Sequence, residues 1–172
     1  MYQDFKELLS ILNDSKVRYL VVGGYAVSFH AQPRATMDLD ILIKPDAGNA
    51  VAVYTALTKF GAPLDGLGPD DFVERGKFFR MGTPPVMVDI LPEIAGVDFD
   101  DAWERRVKVT IDVETGLRAN FISGADLIAA KLAVGRPQDL ADVDALKEAK
   151  GPIEARRKPK RGKAAAKPPA KP

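Results

Sequence analysis

Residues 37–43, Met-Asp-Leu-Asp-Ile-Leu-Ile, constrain this chain more than any other stretch. The run has the composition of a strand, and successive side chains of a strand alternate faces. Asp38 and Asp40 therefore share one face, while Leu39, Ile41 and Ile43 occupy the other and can anchor the strand against a helix. Aspartate is a poor strand former. Two of them interrupting one of the most apolar stretches of the chain set this strand apart from a solvated edge.

Around that strand the pattern alternates. Tyr2 to Asp14 places Phe5, Leu8, Leu9, Ile11 and Leu12 on one helical face. Val17 to Val22 is a short apolar run closed by Gly23-Gly24, which suits a buried strand. Tyr25 to Ala31 is a short helix ended by Pro33. Asp46 is an N-cap for a helix over Ala47 to Phe60, followed by a Gly- and Pro-rich loop to Pro69. Lys77 to Met81 and Val86 to Leu91 are strands flanking the turn Gly82-Thr83-Pro84-Pro85. Phe99 to Arg105 is helical, and Val107 to Val113 with Leu117 to Ile122 forms a hairpin. Ser123 caps a helix over Gly124 to Val134, and a last helix spans Pro137 to Lys150. The expected fold is α/β (α+β), a mixed sheet flanked by helices.

Composition supports one domain with a tail. The 172 residues are 46% hydrophobic, enough for a sizeable core. There is no cysteine and a single histidine, His30. Disulfide scaffolds, thiolate zinc sites, iron–sulfur clusters and cysteine nucleophiles are thereby excluded. No apolar run approaches the roughly 18 residues of a membrane span. The N-terminus mixes acids and bases where a signal peptide needs an apolar stretch, so a cytoplasmic protein is expected. The net charge of +1 hides an uneven division: the last 19 residues hold 8 of the 25 bases and 1 of the 24 acids. The expected organisation is a domain over residues 1–151 and a disordered Lys/Arg/Ala/Pro-rich tail over 152–172. Such a tail could grip nucleic-acid phosphates through counterion release, or serve only as a solvated extension.

Asp89 lies in a similar apolar strand, Val86 to Leu91. If that strand neighbours residues 37–43, a third carboxylate joins Asp38 and Asp40. Like charges at contact range repel by about 1 kcal/mol in water and about 4 nearer a protein interior. A divalent cation relieves that repulsion, and hard oxygen ligands favour Mg²⁺ or Mn²⁺. Gly23-Gly24, between a strand and a helix, lets backbone amides approach a phosphate, with the helix N-terminus behind them.

The run from Gly23 to Ile43, GGYAVSFHAQPRATMDLDILI, resembles the signature of the nucleotidyltransferase superfamily that includes polymerase β-like enzymes. Its R-x-T-x-D-x-D form (Arg34, Thr36, Asp38, Asp40) is similar to a small bacterial branch containing the nucleotidyltransferase-like abortive-infection toxins of type IV toxin–antitoxin systems. Lys131, Arg136, Asp139 and Asp142 resemble a second motif of that branch. The resemblance implies transfer of a nucleoside monophosphate from a nucleoside triphosphate to an acceptor hydroxyl. Asp38, Asp40 and Asp89 would be catalytic and hold Mg²⁺ or Mn²⁺; Gly23, Gly24, Arg34, Thr36 and Lys131 would bind the nucleotide. It admits an RNA acceptor such as a tRNA end, a toxin-like role and a cognate antitoxin.

Three neighbouring features have plainer expectations. Arg136, Asp139 and Asp142 suit an ion-pair network, His30 a packed histidine, and Trp103 a core anchor. Many members carry a larger helical domain after the closing helices, so the acceptor here is expected to be small or supplied by a partner. The rival expectation is a catalytically inert module that kept the fold for binding or regulation.

Overall fold

The computed structural model describes residues 1–33 and 35–149. Arg34 and the segment 150–172 lie outside the described residues, and with them the expected Arg34 contact and the expected basic tail. The elements in order are α1 (Gln3–Asp14), β1 (Tyr19–Val21), α2 (Gly23–His30), β2 (Leu39–Ile43), α3 (Ala47–Phe60), a 3₁₀ turn (Pro69–Phe72), β3 (Phe79–Thr83), β4 (Val86–Leu91), α4 (Phe99–Glu104), β5 (Val107–Asp112), β6 (Leu117–Phe121), α5 (Gly124–Val134) and α6 (Pro137–Glu148).

The six strands form one mixed sheet in the order β3-β4-β2-β1-β6-β5. β2 runs parallel to β4 and antiparallel to β1, while β1 is parallel to β6; hairpins β3–β4 and β5–β6 close the two edges. The register of β2 against β4 sets Asp40 beside Asp89 and Leu39 beside Val88.

Alternation then divides the sheet into two faces. On one, Leu39, Ile41 and Ile43 are fully buried, each such burial stabilising the fold by about 1.5–3 kcal/mol. Val88 and Met81 lie on that same face and share a depression with Phe5 of α1 and Phe60 of α3, so α1 and α3 cover it. α2, α5 and α6 stand on the other face, the one bearing Asp40 and Asp89.

Capping fixes two helix starts where the sequence predicts them. Asp46 accepts from the Asn49 amide at 2.8 Å, and Ser123 accepts from the Asp126 amide at 3.1 Å, each cap worth about 1 kcal/mol. Asn49 is buried and does more: its side chain bonds the Arg18 amide and the Arg18 and Lys44 carbonyls. It thereby ties α3 to the neighbouring ends of β1 and β2. Several boundaries differ from expectation, among them β1 at Tyr19–Val21 and β3 at Phe79–Thr83, and two lie beside the expected site. β2 begins at Leu39, leaving Asp38 just before the strand, and α2 begins at Gly23 rather than Tyr25. Among the described residues no helix is long and apolar enough to cross a membrane.

Candidate active site

The strand–helix turn between β1 and α2 faces β2 directly. Gly23 has φ +60°, and a Cβ built there would sit 2.7 Å from Asp40 Cγ and overlap Oδ2. Glycine is required twice, by the backbone angle and by the space the carboxylate occupies. The Gly24 amide donates to the same carboxylate. The glycine pair thus frames Asp40 at the start of α2.

Asp38, Asp40 and Asp89 do come together. Asp89 is 6% exposed, Asp38 and Asp40 are half-buried, and the charges of Asp89 and Asp38 act on Asp40. Burial, then Asp89, then Asp38 push the Asp40 carboxyl from 3.8 up to about 6, against the opposing pull of the Gly24 amide and the Lys131 charge. Among the described residues, however, no three acidic or imidazole side chains are gathered into a ready-made metal cage.

Arg80 is the cation paired with Asp89. It lies opposite Asp89 in the β3–β4 register and donates from Nε to Oδ1 and from Nη2 to Oδ2, both at 2.6 Å. The pair is lopsided: the Asp89 side chain is 9% exposed and that of Arg80 48%. A four-residue turn over Gly82 to Pro85, as the sequence suggests, pairs Arg80 with Met87 rather than with Asp89. The hairpin in fact turns at Pro84-Pro85, with Thr83 paired to Val86, and that register delivers Arg80 to Asp89.

The opposite wall comes from α5 and α6. Lys131 is buried and donates to Asp139 at 3.1 Å; its Nζ lies 2.7 Å from Asp142 Oδ2. Arg136 adds a second cation to Asp139 at 2.7 Å, and Gln138 donates to Asp142 at 3.3 Å. Arg136 first, then Lys131, holds the Asp139 carboxyl down to about 2. The expected ion-pair network is therefore present, and Lys131 belongs to it. A cleft of about 170 Å³ separates Gly23 and Asp40 from Leu127, Lys131, Arg136 and Asp139. A larger depression of about 470 Å³ shares Ile94 and Ala95 with it but reaches none of the three aspartates; there Lys44 pairs with Asp100, Arg75 with Glu93, and Asp98 caps α4. Of the two, only the smaller cleft is lined by one of the three aspartates, Asp40.

Two remaining candidates are structural in their contacts. The Thr36 hydroxyl donates to the Asp38 carbonyl at 3.4 Å, shaping the approach to β2. His30 is buried, with Nε2 2.7 Å from the Ile122 carbonyl oxygen, which ties α2 to the strand end before α5. Trp103 is half-buried, stacked on Phe99 with the Arg106 guanidinium 3.9 Å from its ring centroid.

Asp38, Asp40 and Asp89 are the side chains that could hold a hard divalent cation: Asp40 and Asp89 lie side by side on adjoining strands, with Asp38 just before β2. Two cations, Lys131 and Arg136, stand across the cleft where an anionic ligand would enter.

Comparison with known proteins gives the following. Residues 1–149 match a family model described as "Nucleotidyltransferase of unknown function (DUF6036)". Comparison with curated proteins finds no match. Among solved structures, the lincosamide antibiotic adenylyltransferase LnuA is similar over 86% of this chain and 97% of its own, with TM-score 0.57 and 16% identity. A putative nucleotidyltransferase from Thermotoga maritima is similar over 81% and 88%, TM-score 0.53, 16% identity. The antibiotic-resistance factor ANT(2'')-Ia is similar over 84% and 79%, TM-score 0.52, 13% identity. At these identities the three structures establish the shared fold.

Proposed function

The chain belongs to the DUF6036 nucleotidyltransferase family, and from that membership we propose that it moves a nucleoside monophosphate from a nucleoside triphosphate to an acceptor hydroxyl. The observation that carries the reading is the β2–β4 register, which puts Asp40 beside Asp89 at the mouth of a cleft walled by Lys131 and Arg136. Asp38, Asp40 and Asp89 are the residues that would hold Mg²⁺ or Mn²⁺. When bound, such an ion neutralises the triphosphate and the charge developing on the entering and leaving oxygens.

The chain's own groups have distinct tasks. Gly23 leaves the space in which Asp40 stands, and Gly24 orients its carboxylate. Asp89 accepts the proton of the attacking hydroxyl once Arg80 has left it. The hydroxyl oxygen bonds to the α-phosphorus, the bond to the β-phosphate bridge breaks, and pyrophosphate departs with increased negative charge. Lys131 and Arg136 stabilise that charge from the far wall. Arg34 and Thr36 complete nucleotide binding by their place in the motif. For the acceptor we retain RNA, such as a tRNA end, in a toxin-like cytoplasmic role with a cognate antitoxin. A Lys/Arg-rich segment after the domain would add contacts to RNA phosphates.

A second reading has one observation in its favour. Arg80 saturates Asp89 and the Gly24 amide bonds Asp40, as in a module that binds nucleotide without turning it over. The test of both is transfer of α-phosphate label from each of the four ribonucleoside triphosphates, with Mg²⁺, to tRNA and to small hydroxyl acceptors. Transfer that is lost in Asp38→Asn and Asp89→Asn, with circular dichroism unchanged, supports the enzyme. Full turnover in either variant refutes the three-carboxylate mechanism, and nucleotide binding with no transfer supports the inert module.

A further inference from the structure

The Arg80–Asp89 pair joins a cation that can leave to an anion that cannot. Asp89 sits on an inner strand, is almost fully buried, and faces Asp40 in register. Arg80 sits on the edge strand β3, with nearly half its side chain in solvent. Its guanidinium carbon is 5.5 Å from the centroid of the exposed Phe78 ring, within cation–π range. Both oxygens of Asp89 are taken by the Arg80 fork, an arrangement roughly twice as strong as neutral hydrogen bonds. A buried carboxylate stripped of its partner is costly. Asp89 can therefore lose Arg80 only to another cation, whereas Arg80 can move to water and to Phe78 without opening the core. Arg80 also experiences the charges of Asp38 and Asp40, so it sits where it acts on all three carboxylates.

We propose that Arg80 is the resident counter-ion of the carboxylate site, displaced from Asp89 by the incoming divalent cation, and that it thereby sets the metal affinity of the protein. This rests on the metal-dependent reading above and adds to it a residue that opposes metal binding in the resting state. No other cation is hydrogen-bonded to Asp89 among the described residues. Lys131 and Arg136, the other nearby cations, are engaged by Asp139 and Asp142 across the cleft.

The test is titration of the full chain with Mn²⁺ alone, without nucleotide, in wild type, Arg80→Gln and Arg80→Lys. Binding is read by calorimetry and by the loss of the free-ion electron paramagnetic resonance signal. Removing a competing charge-assisted fork is expected to tighten Mn²⁺ binding about tenfold or more in Arg80→Gln. Arg80→Lys, which keeps the charge and loses the fork, is expected to fall between the two. Circular dichroism identifies a variant that fails to fold, and the lysine variant keeps the ordering testable in that case. Equal or weaker Mn²⁺ binding by both variants, with wild type binding normally, overturns the role of Arg80 and leaves the metal site standing. No Mn²⁺ binding by any of the three overturns the metal-dependent reading itself, and this proposal with it.

Discussion

Replacing Asp40 by asparagine should make the metal-free protein more stable, although it removes a residue assigned to the chemistry. The amide has the shape of the carboxylate, and its oxygen can still accept from the Gly24 amide. What it removes is a negative charge crowded by burial, Asp89 and Asp38. That crowding lifts the Asp40 carboxyl from 3.8 to about 6. The folded state consequently holds a proton that the unfolded chain releases, so stability falls as pH rises from about 3.8 to about 6 and stays lower above it. By proton linkage the full effect is on the order of 3 kcal/mol. For a chain of this size about 1 kcal/mol shifts Tm by roughly 2–4 °C. In chelator at pH 7.5, Asp40→Asn should melt several degrees above wild type, and the gap should close toward pH 4. Saturating Mg²⁺ should narrow it at pH 7.5 by stabilising only the wild type. Equal melting at pH 7.5, or a gap that does not change with pH, would refute the electrostatic account of this site.

Other perturbations separate packing from chemistry. Gly23→Ala strains the φ +60° position and drives a methyl into the Asp40 carboxylate; a loss of about 1–3 kcal/mol in thermal melts and weakened nucleotide binding are expected, and wild-type values for both would contradict the close approach. Lys131→Met leaves Asp139 and Asp142 buried without their shared cation, which should cost about 3 kcal/mol at neutral pH in urea unfolding. Because the Asp139 carboxyl is held down to about 2, its stabilising contribution is present above pH 3.8 and lost as pH falls toward 2. Acid unfolding should therefore begin at higher pH in Lys131→Met, and an unchanged acid midpoint would count against the network. Ser123→Ala removes the α5 cap and should lower stability by about 1 kcal/mol, checked by thermal melts; no change would mean that α5 is held by packing alone.

What could be read in advance follows from how local each signal is. Asp46 and Ser123 announce their helices because a cap acts within one turn. The three aspartates are visible because residues 37–43 and 86–91 are apolar runs in which a carboxylate stands out. Their meeting required β2 and β4 to be neighbours, which no single stretch states; the register confirms it at Asp40 and Asp89. The start of α2 was hidden because Gly23 signals a break, yet Gly23 opens the helix to clear Asp40. The pairing of Arg80 with Asp89 was hidden by a turn read two residues too long. Asn49 was hidden because its partner Arg18 lies far away in sequence, and its bond to nearby Lys44 depends on how the end of β2 meets α3. Lys131 could be placed on its helix from the sequence, but its burial between Asp139 and Asp142 depends on how α6 folds back onto α5.

The central claim is a metal-dependent triphosphate site built on Asp38 and Asp40. Its most direct test is calorimetric titration of the full chain with ATP, GTP, CTP and UTP, each with and without Mg²⁺, beside the Asp38→Asn/Asp40→Asn double variant. The account predicts binding of at least one nucleotide that requires Mg²⁺ and disappears in the double variant. Nucleotide binding that survives in the double variant, or no binding of any of the four to the wild type, would contradict it.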